Sequence, residues 1–147
     1  MSNINKAYTT ELELMNFARA NKLPLNGVYA KDTVPKRLYD SGYIVNMDTS
    51  DQQGSHWVAF YIKGKHAIYF DSFGQPPPLE IAHALKPYKL EINRRIIQNP
   101  SSGYCGAFCL VFIWFITLHT LKSFQKLWSP DILENKRILQ YYIAINT

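Results

Sequence analysis

Residues 98–115, QNPSSGYCGAFCLVFIWF, lead from a polar loop into the most apolar run of the sequence. The pattern predicts a buried helix that begins at Cys105, a cysteine followed by glycine. The first turn of a helix has unpaired N–H groups and the positive end of the helix dipole, which favour a thiolate over a thiol. Cys105 is therefore the candidate nucleophile, whereas Cys109, four residues further on, has the pattern of an inert core residue.

The composition indicates a single globular domain over residues 1–147. The apolar fraction is 47% and the aromatic fraction 14%, which suffices for a hydrophobic core. The net charge of +5 suits a protein that works near nucleic acid or an acidic partner, although many basic proteins bind neither. Two cysteines are too few for a disulfide framework, and we expect both to be reduced.

The apolar run has the length of a core helix and not of a membrane span. Ala107 to Leu118 holds eleven apolar residues in twelve, whereas about 20 are needed to cross a bilayer. The first residues of the chain also lack the apolar segment of a signal peptide. We therefore expect no membrane association and a reducing location in cytoplasm, nucleus or a virus particle.

The remaining pattern predicts an α+β domain, with a mostly antiparallel sheet packed against a buried central helix and flanking helices. The first helix opens with a threonine cap, and its apolar residues at near-helical spacing are Leu12, Met15, Phe17 and Ala18. Helices are predicted at residues 9–21, 79–85, 105–124 and 130–145. Strands are predicted at residues 42–47, 56–63, 66–71 and 92–98, with a short extended piece within 21–35.

The predicted strands 56–63 and 66–71 are separated only by Gly64 and Lys65. They should form a tight hairpin, with Lys63 opposite His66. In that register Val58 is the nominal partner of Asp71, and His56 lies two residues earlier on the same face. His56 and Asp71 are then diagonal neighbours within reach of each other. A slip of one residue in the register would separate them.

Nucleophilic catalysis by a thiolate needs a base, a group that orients the base, and donors for the oxyanion. His56 and Asp71 fit the first two requirements. The amide of Gln98 and the backbone N–H of Cys105 fit the third. Gly103, just before the nucleophile, allows a substrate backbone to approach closely.

This set resembles the adenovirus-type, or adenain-like, cysteine proteases, whose wider clan includes the SUMO-specific proteases. The shared features are the pair His56-Trp57, the run YFDSFG at residues 69–74, and Gln98 seven residues before Cys105. The order His, Asp, Gln, Cys differs from that of papain, in which the cysteine comes first. The adenovirus enzyme has glutamate where this chain has aspartate, but other members of the clan use aspartate.

The resemblance covers roughly residues 10–120 and implies a papain-like, adenain-like cysteine protease fold. It implies that Cys105 is the nucleophile and that His56 is the general base and acid. Asp71 would be the orienting group, and Gln98 would be the oxyanion donor. It also implies a set of substrate-contacting residues, namely Gly54, Ser55, Trp57, Ser102, Gly103 and Tyr104.

The function implied by the resemblance is cleavage of viral capsid or core precursors after small residues such as glycine, during virion maturation. Those precursors would be the partners, and the virion and the infected cell the location. The short chain points to a virophage or related small DNA virus, and we expect a monomer. No metal or other cofactor is expected. Activation by DNA stays open, but a disulfide-linked peptide cofactor is not expected because no cysteine precedes Cys105.

Two other functions stay open. The same fold could remove ubiquitin or a SUMO-type modifier, whose Gly-Gly tail suits a narrow cleft at Trp57. A basic nucleic-acid-binding domain could instead use the scaffold without catalysis. Zinc binding by His56, Asp71 and Cys105 fits by residue type, but no short C-x-x-C or H-x-x-x-H pair supports it.

Overall fold

A five-stranded sheet separates two apolar layers of the protein. The computed structural model describes residues 4–51 and 56–147. Its elements are α1 (Glu11–Ala20), β1 (Leu25–Ala30), β2 (Gly42–Asn46), β3 (Trp57–Lys63), β4 (His66–Phe70), α2 (Leu79–Ala84), β5 (Lys89–Ile92), α3 (Cys105–Ile116), α4 (Leu121–Gln125) and α5 (Asn135–Ile145). None of the helices in these ranges has the length and apolarity that crossing a membrane requires.

The strands lie in chain order, from β1 at one edge to β5 at the other. The central pairs β2–β3 and β3–β4 are antiparallel, whereas the edge pairs β1–β2 and β4–β5 are parallel. The predicted α+β class is confirmed, but the sheet is mixed and not mostly antiparallel. Long connections at residues 31–41 and 71–88 return the chain to the same end of the sheet, as parallel pairing requires.

The predicted hairpin of β3 and β4 is confirmed in its register. Lys63 lies opposite His66, and Ala59 lies opposite Phe70. Gly64 has a φ of +58°, the left-handed conformation that a two-residue hairpin turn favours. This register brings the residues just beyond the hairpin's open end to one edge of the core.

Helix α3 is the centre of the larger apolar layer, and ten of its twelve residues are buried. Phe112 stacks on Phe70 of β4 with ring centroids 5.0 Å apart, and it meets Phe124 of α4 edge-on at 5.4 Å. The sheet residues that face α3 include Ile44, Ala59, Tyr61 and Ile68. The opposite face of the sheet is covered by Ile81 of α2 and Leu85 after it.

The predicted helix over residues 105–124 is two helices in the structure. Helix α3 ends at Ile116, and the hydroxyl of Thr117 donates to the carbonyl of Trp114. Thr120 then caps α4, because its hydroxyl accepts the N–H of Ser123 at 3.1 Å. The last predicted helix is also shorter, since a 3₁₀ turn at Ile132–Glu134 precedes α5.

The predicted strand over residues 92–98 is wrong, because β5 ends at Ile92. After Ile92 the side chain of Asn93 forms hydrogen bonds in place of strand-to-strand pairing. It donates to the carbonyls of Asp71 and Arg95 and accepts from the side chain of Gln125. Such side-chain bonds compete with regular strand pairing.

The first helix begins one residue after Thr10, which forms a capping box with Glu13. That start turns Leu12 outward, where it is 67% exposed, and buries Leu14 in its place. Leu12, which the near-helical spacing groups with Met15, Phe17 and Ala18, is therefore not on the buried face of this helix. Ala18, at the next turn of the same face, is buried as predicted.

Truncation of Phe112 to alanine should destabilise the protein by about 3–5 kcal/mol, because the ring is fully buried between two other rings. Leu118→Ala, at a position 85% exposed, is the matched control and should change stability by less than about 0.5 kcal/mol. Urea unfolding measures both changes, and equal losses would contradict this account of the core.

Candidate active site

A histidine and an aspartate meet just beyond the open end of the hairpin. Nε2 of His56 lies 2.7 Å from Oδ1 of Asp71, and the same oxygen accepts the backbone N–H of Phe73 at 2.8 Å. The Phe73 ring stacks on the imidazole with centroids 4.3 Å apart and planes 11° apart. Asp71 and Phe73 therefore fix the position and plane of the imidazole and leave its Nδ1 for another partner.

Cys105, the first residue of α3, lies near enough to the imidazole to affect its pKa. Its Sγ accepts the backbone N–H of Trp57 at 3.4 Å. Burial lowers the pKa of His56, but hydrogen bonds with Asp71 and Cys105 outweigh it and raise the pKa to about 9. The imidazole is therefore protonated at neutral pH, the form that stabilises a thiolate beside it.

The other cysteine has no access to this pair. Cys109 is buried in the core one turn further along α3, and burial raises the pKa of its thiol well above the ordinary value. A thiol of that kind reacts slowly, because the thiolate is the nucleophile.

Gln98 lies under the N-terminus of α3 and is 1% exposed. One end of its amide is 3.0 Å from the backbone nitrogen of Tyr104 and 3.2 Å from that of Cys105. The orientation that satisfies every neighbour has the amide oxygen at this end and the nitrogen facing the hydroxyl of Ser72. In that orientation Gln98 caps α3 and occupies the Cys105 N–H, so it would have to turn over to donate to an oxyanion.

The loop after the aspartate is tied to the segment that carries Gln98. The carbonyl of Ser72 accepts the backbone N–H groups of Ile97, at 2.8 Å, and of Gln98, at 3.1 Å. Gly74 has a φ of +72°, and a Cβ there would lie 2.8 Å from the carbonyl oxygen of Arg94. This glycine allows the two loops to pack closely and so holds Gln98 near Cys105.

The N-terminal segment, residues 4–10, crosses the site and was not expected there. The N–H of Tyr8 donates to the carbonyl of Gly103 at 2.9 Å, and the indole of Trp57 donates to the carbonyl of Thr9 at 3.0 Å. The segment therefore connects the cysteine turn with the histidine strand. From the sequence alone, Thr9 has only the pattern of a residue at the start of a helix. No local pattern indicates its contact with Trp57, which is distant in sequence.

The turn before the nucleophile depends on two glycines. Gly103 has a φ of +69° and lies against the ring of Tyr8, and Gly106 lies so close to the hydroxyl of Thr9 that a side chain would not fit. The N-terminal segment thus packs directly on the cysteine turn.

A cleft of about 610 Å³ opens beside the thiol. Trp57, Gly103 and Cys105 form one part of its lining, which includes the thiol. The rest of the lining comes from the segment before α1, the start of α1, β1 and the loop after β2, and includes Tyr8, Glu11, Tyr29, Asp48 and Ser50. This is a channel in which an extended chain could reach Cys105.

The predicted substrate residues divide into three groups. Trp57 and Gly103 line the cleft, as described above. Ser102 instead bonds with the amide of Gln98, and the ring of Tyr104 lies 4.9 Å from Nζ of Lys136. Gly54 and Ser55 lie outside the described residues.

Within residues 4–51 and 56–147, no group of three or more His, Cys, Asp and Glu side chains is placed to hold a metal ion.

The raised pKa of His56 predicts that stability falls as pH rises. The folded-state stabilisation is complete below the ordinary value of 6.5 and is lost as pH rises through about 9. The urea midpoint should therefore fall over that range, and His56→Asn should remove much of the dependence. His66→Asn, at an exposed position of the same hairpin, is the control and should retain it. Identical pH profiles for the two variants would exclude this role of His56.

No family model matches the chain, and no curated protein matches it in sequence. Among solved structures the chain is similar to the crystal structure of the ASFV pS273R protease, with a TM-score of 0.54 and 16% identity. The likeness covers 93% of this chain and 69% of that one. At this identity the likeness shows the fold alone. The α+β fold predicted from the sequence is confirmed, and the ASFV protease shares it.

Proposed function

We propose that the protein is a viral cysteine protease in which Cys105 is the nucleophile, His56 the acid and base, and Asp71 the orienting group. One observation carries the proposal: an imidazole held by a buried aspartate at 2.7 Å lies near enough to the thiol at the head of a buried helix for that thiol to raise its pKa. The open cleft at that thiol gives a peptide access to it. The fold shared with an ASFV protease supports a viral source.

The arrangement can carry out peptide hydrolysis in two balanced steps. The Cys105 thiolate attacks the carbonyl carbon, a C–S bond forms, and the C–N bond then breaks as His56 gives its proton to the leaving amine. In the second step His56 takes a proton from water, whose oxygen attacks the thioester and releases Cys105 as thiolate. His56 then carries the proton again, so the enzyme returns to its starting state.

The oxyanion would form next to the N-terminus of α3. The backbone N–H of Cys105 is one donor there, and the Gln98 amide is the second after it turns its nitrogen towards the substrate. The capping contacts of the unliganded state would be exchanged for contacts with the oxyanion.

We propose viral capsid or core precursors as substrates, cut after small residues during maturation in the virion or the infected cell. Trp57 and Gly103 line the same cleft as the thiol of Cys105, which supports a small residue next to the scissile bond. The enzyme would act as a monomer without a disulfide-linked peptide. Stimulation by DNA is a separate property, to be measured by adding duplex DNA to the assay.

Cys105→Ala should abolish cleavage of a precursor protein, whereas Cys109→Ala should keep it, because only the first thiol reaches the cleft. Labelling with iodoacetamide at neutral pH should follow the same pattern. Cleavage by the Cys105 variant would exclude the mechanism.

Modifier-specific electrophiles separate the proposal from its closest alternative. Ubiquitin or a SUMO-type modifier with a C-terminal electrophile should not label Cys105 if precursors are the substrates. Labelling of Cys105 by the modifier, without cleavage of precursors, would favour an isopeptidase. A thiol that alkylates no faster than free cysteine would favour a non-catalytic domain.

Gln98→Ala should lower kcat by about 10²–10³-fold, because one oxyanion donor is lost. Alkylation of Cys105 by iodoacetamide forms no oxyanion and should persist in the variant. Gln140→Ala on α5 is the control and should keep full activity. An unchanged kcat in the Gln98 variant, with the fold intact by circular dichroism, would exclude the donor role.

A further inference from the structure

The charge of the cleft is opposite to that of the whole protein. The chain has a net charge of +5, yet the charged residues among the described cleft lining are two acids, Glu11 and Asp48. Neither carboxylate forms an ion pair with any residue in the ranges 4–51 and 56–147. Both are therefore available to a charged group that enters the cleft.

The lysines that lie next to the cleft in sequence are paired elsewhere. Lys6, two residues before Tyr8, forms an ion pair with Glu13 at 2.6 Å. Lys31, which follows β1, forms an ion pair with Glu80 at 3.6 Å. Neither lysine lines the cleft, so the two acids are not neutralised by these neighbours.

A third carboxylate adds to the negative field. Asp32 accepts both the backbone N–H and the hydroxyl of Ser50 at 2.7 Å, and Ser50 lines the cleft. The hydrogen bonds with Ser50 lower the pKa of Asp32, which is therefore ionised at neutral pH. Like charges that converge on a cleft raise the local concentration of ligands of the opposite sign.

The proton transfer from His56 in the proposed mechanism indicates which side of the scissile bond lies in the cleft. His56 must give its proton to the leaving amine, so the amine side of the scissile bond lies towards His56. The cleft is lined by Cys105 and Trp57, and His56 is not part of its described lining. The cleft therefore takes the acyl side, the residues that precede the scissile bond.

We propose that Glu11 and Asp48 select substrates with a lysine or arginine among the residues that precede the scissile bond. This inference rests on the proposed protease function and specifies its substrate class. Trp57 and Gly103 would contact the small residue next to the scissile bond, and Glu11 and Asp48 would contact the basic residue in the same cleft.

Matched peptides test the proposal, with one fluorogenic leaving group and lysine, glutamine or glutamate at each of the four positions before it. The wild-type enzyme should prefer lysine to glutamine at one position by about tenfold in kcat/KM. Added salt should reduce the preference, because it screens the attraction. The double variant Glu11→Gln/Asp48→Asn should bring the lysine-to-glutamine ratio close to one.

Two further variants complete the experiment. Glu91→Gln removes an acid at an exposed position of β5, outside the cleft, and should keep the wild-type ratio. The double variant Glu11→Lys/Asp48→Lys should reverse the preference towards glutamate peptides, which a merely unfolded enzyme would not show. Thermal unfolding verifies that each variant is folded.

The outcomes distinguish this inference from the function on which it rests. Cleavage of all peptides at the same rate, or a lysine preference that survives the double variant, would overturn the role of the two acids and leave the protease proposal standing. If neither the peptides nor a precursor protein were cleaved in a Cys105-dependent manner, the proposed function would fail, and the substrate class with it.

Discussion

The contact between Phe70 and Phe112 joins the two halves of the candidate site. Phe70 is the last residue of β4 and immediately precedes Asp71, whereas Phe112 lies two turns after Cys105 on α3. Stacking of these rings at 5.0 Å fixes the separation between hairpin and helix. Because interiors are close-packed, the geometry at the surface end of both elements follows from the fit of their buried ends.

The polar parts of the site are held by backbone groups more than by one another. Asp71 receives a backbone N–H as well as the imidazole, Ser72 offers its carbonyl to the Gln98 segment, and Asn93 bonds the carbonyl of Asp71. Asp71 and the segment that carries Gln98 are thus each anchored by backbone groups as well as by side chains. Such support fixes the backbone of both segments, so that the Gln98 amide can change its orientation without a change in the loop that carries it.

Local patterns in the sequence predicted the parts of the site that depend on short-range geometry. A two-residue turn determines the register of a hairpin, so the meeting of His56 and Asp71 could be derived by counting outward from Gly64. The position of Cys105 at the start of a helix followed from the change from polar to apolar residues. The end of α3 at Ile116 could not be predicted from the same pattern. A short break at Thr117 costs little apolar burial, so the apolar run continues through it.

Other parts depend on distant contacts that no local pattern encodes. The parallel edge strands require connections whose path is set by packing, and the irregular segment after β5 is stabilised by the side chain of Asn93. The orientation of Gln98 is determined by Ser72 and two backbone N–H groups, which only the folded chain brings together. Thr9 reaches the site for the same reason.

The N-terminal segment also has a consequence for synthesis of the protein. During synthesis Thr9 precedes its partner Trp57 by roughly fifty residues. Tyr8 precedes its partner Gly103 by roughly ninety-five residues. Contacts of such long sequence separation form late in folding, because the intervening chain must first be ordered. The N-terminal segment can therefore take its place beside Cys105 only after the chain through Gly103 has been made.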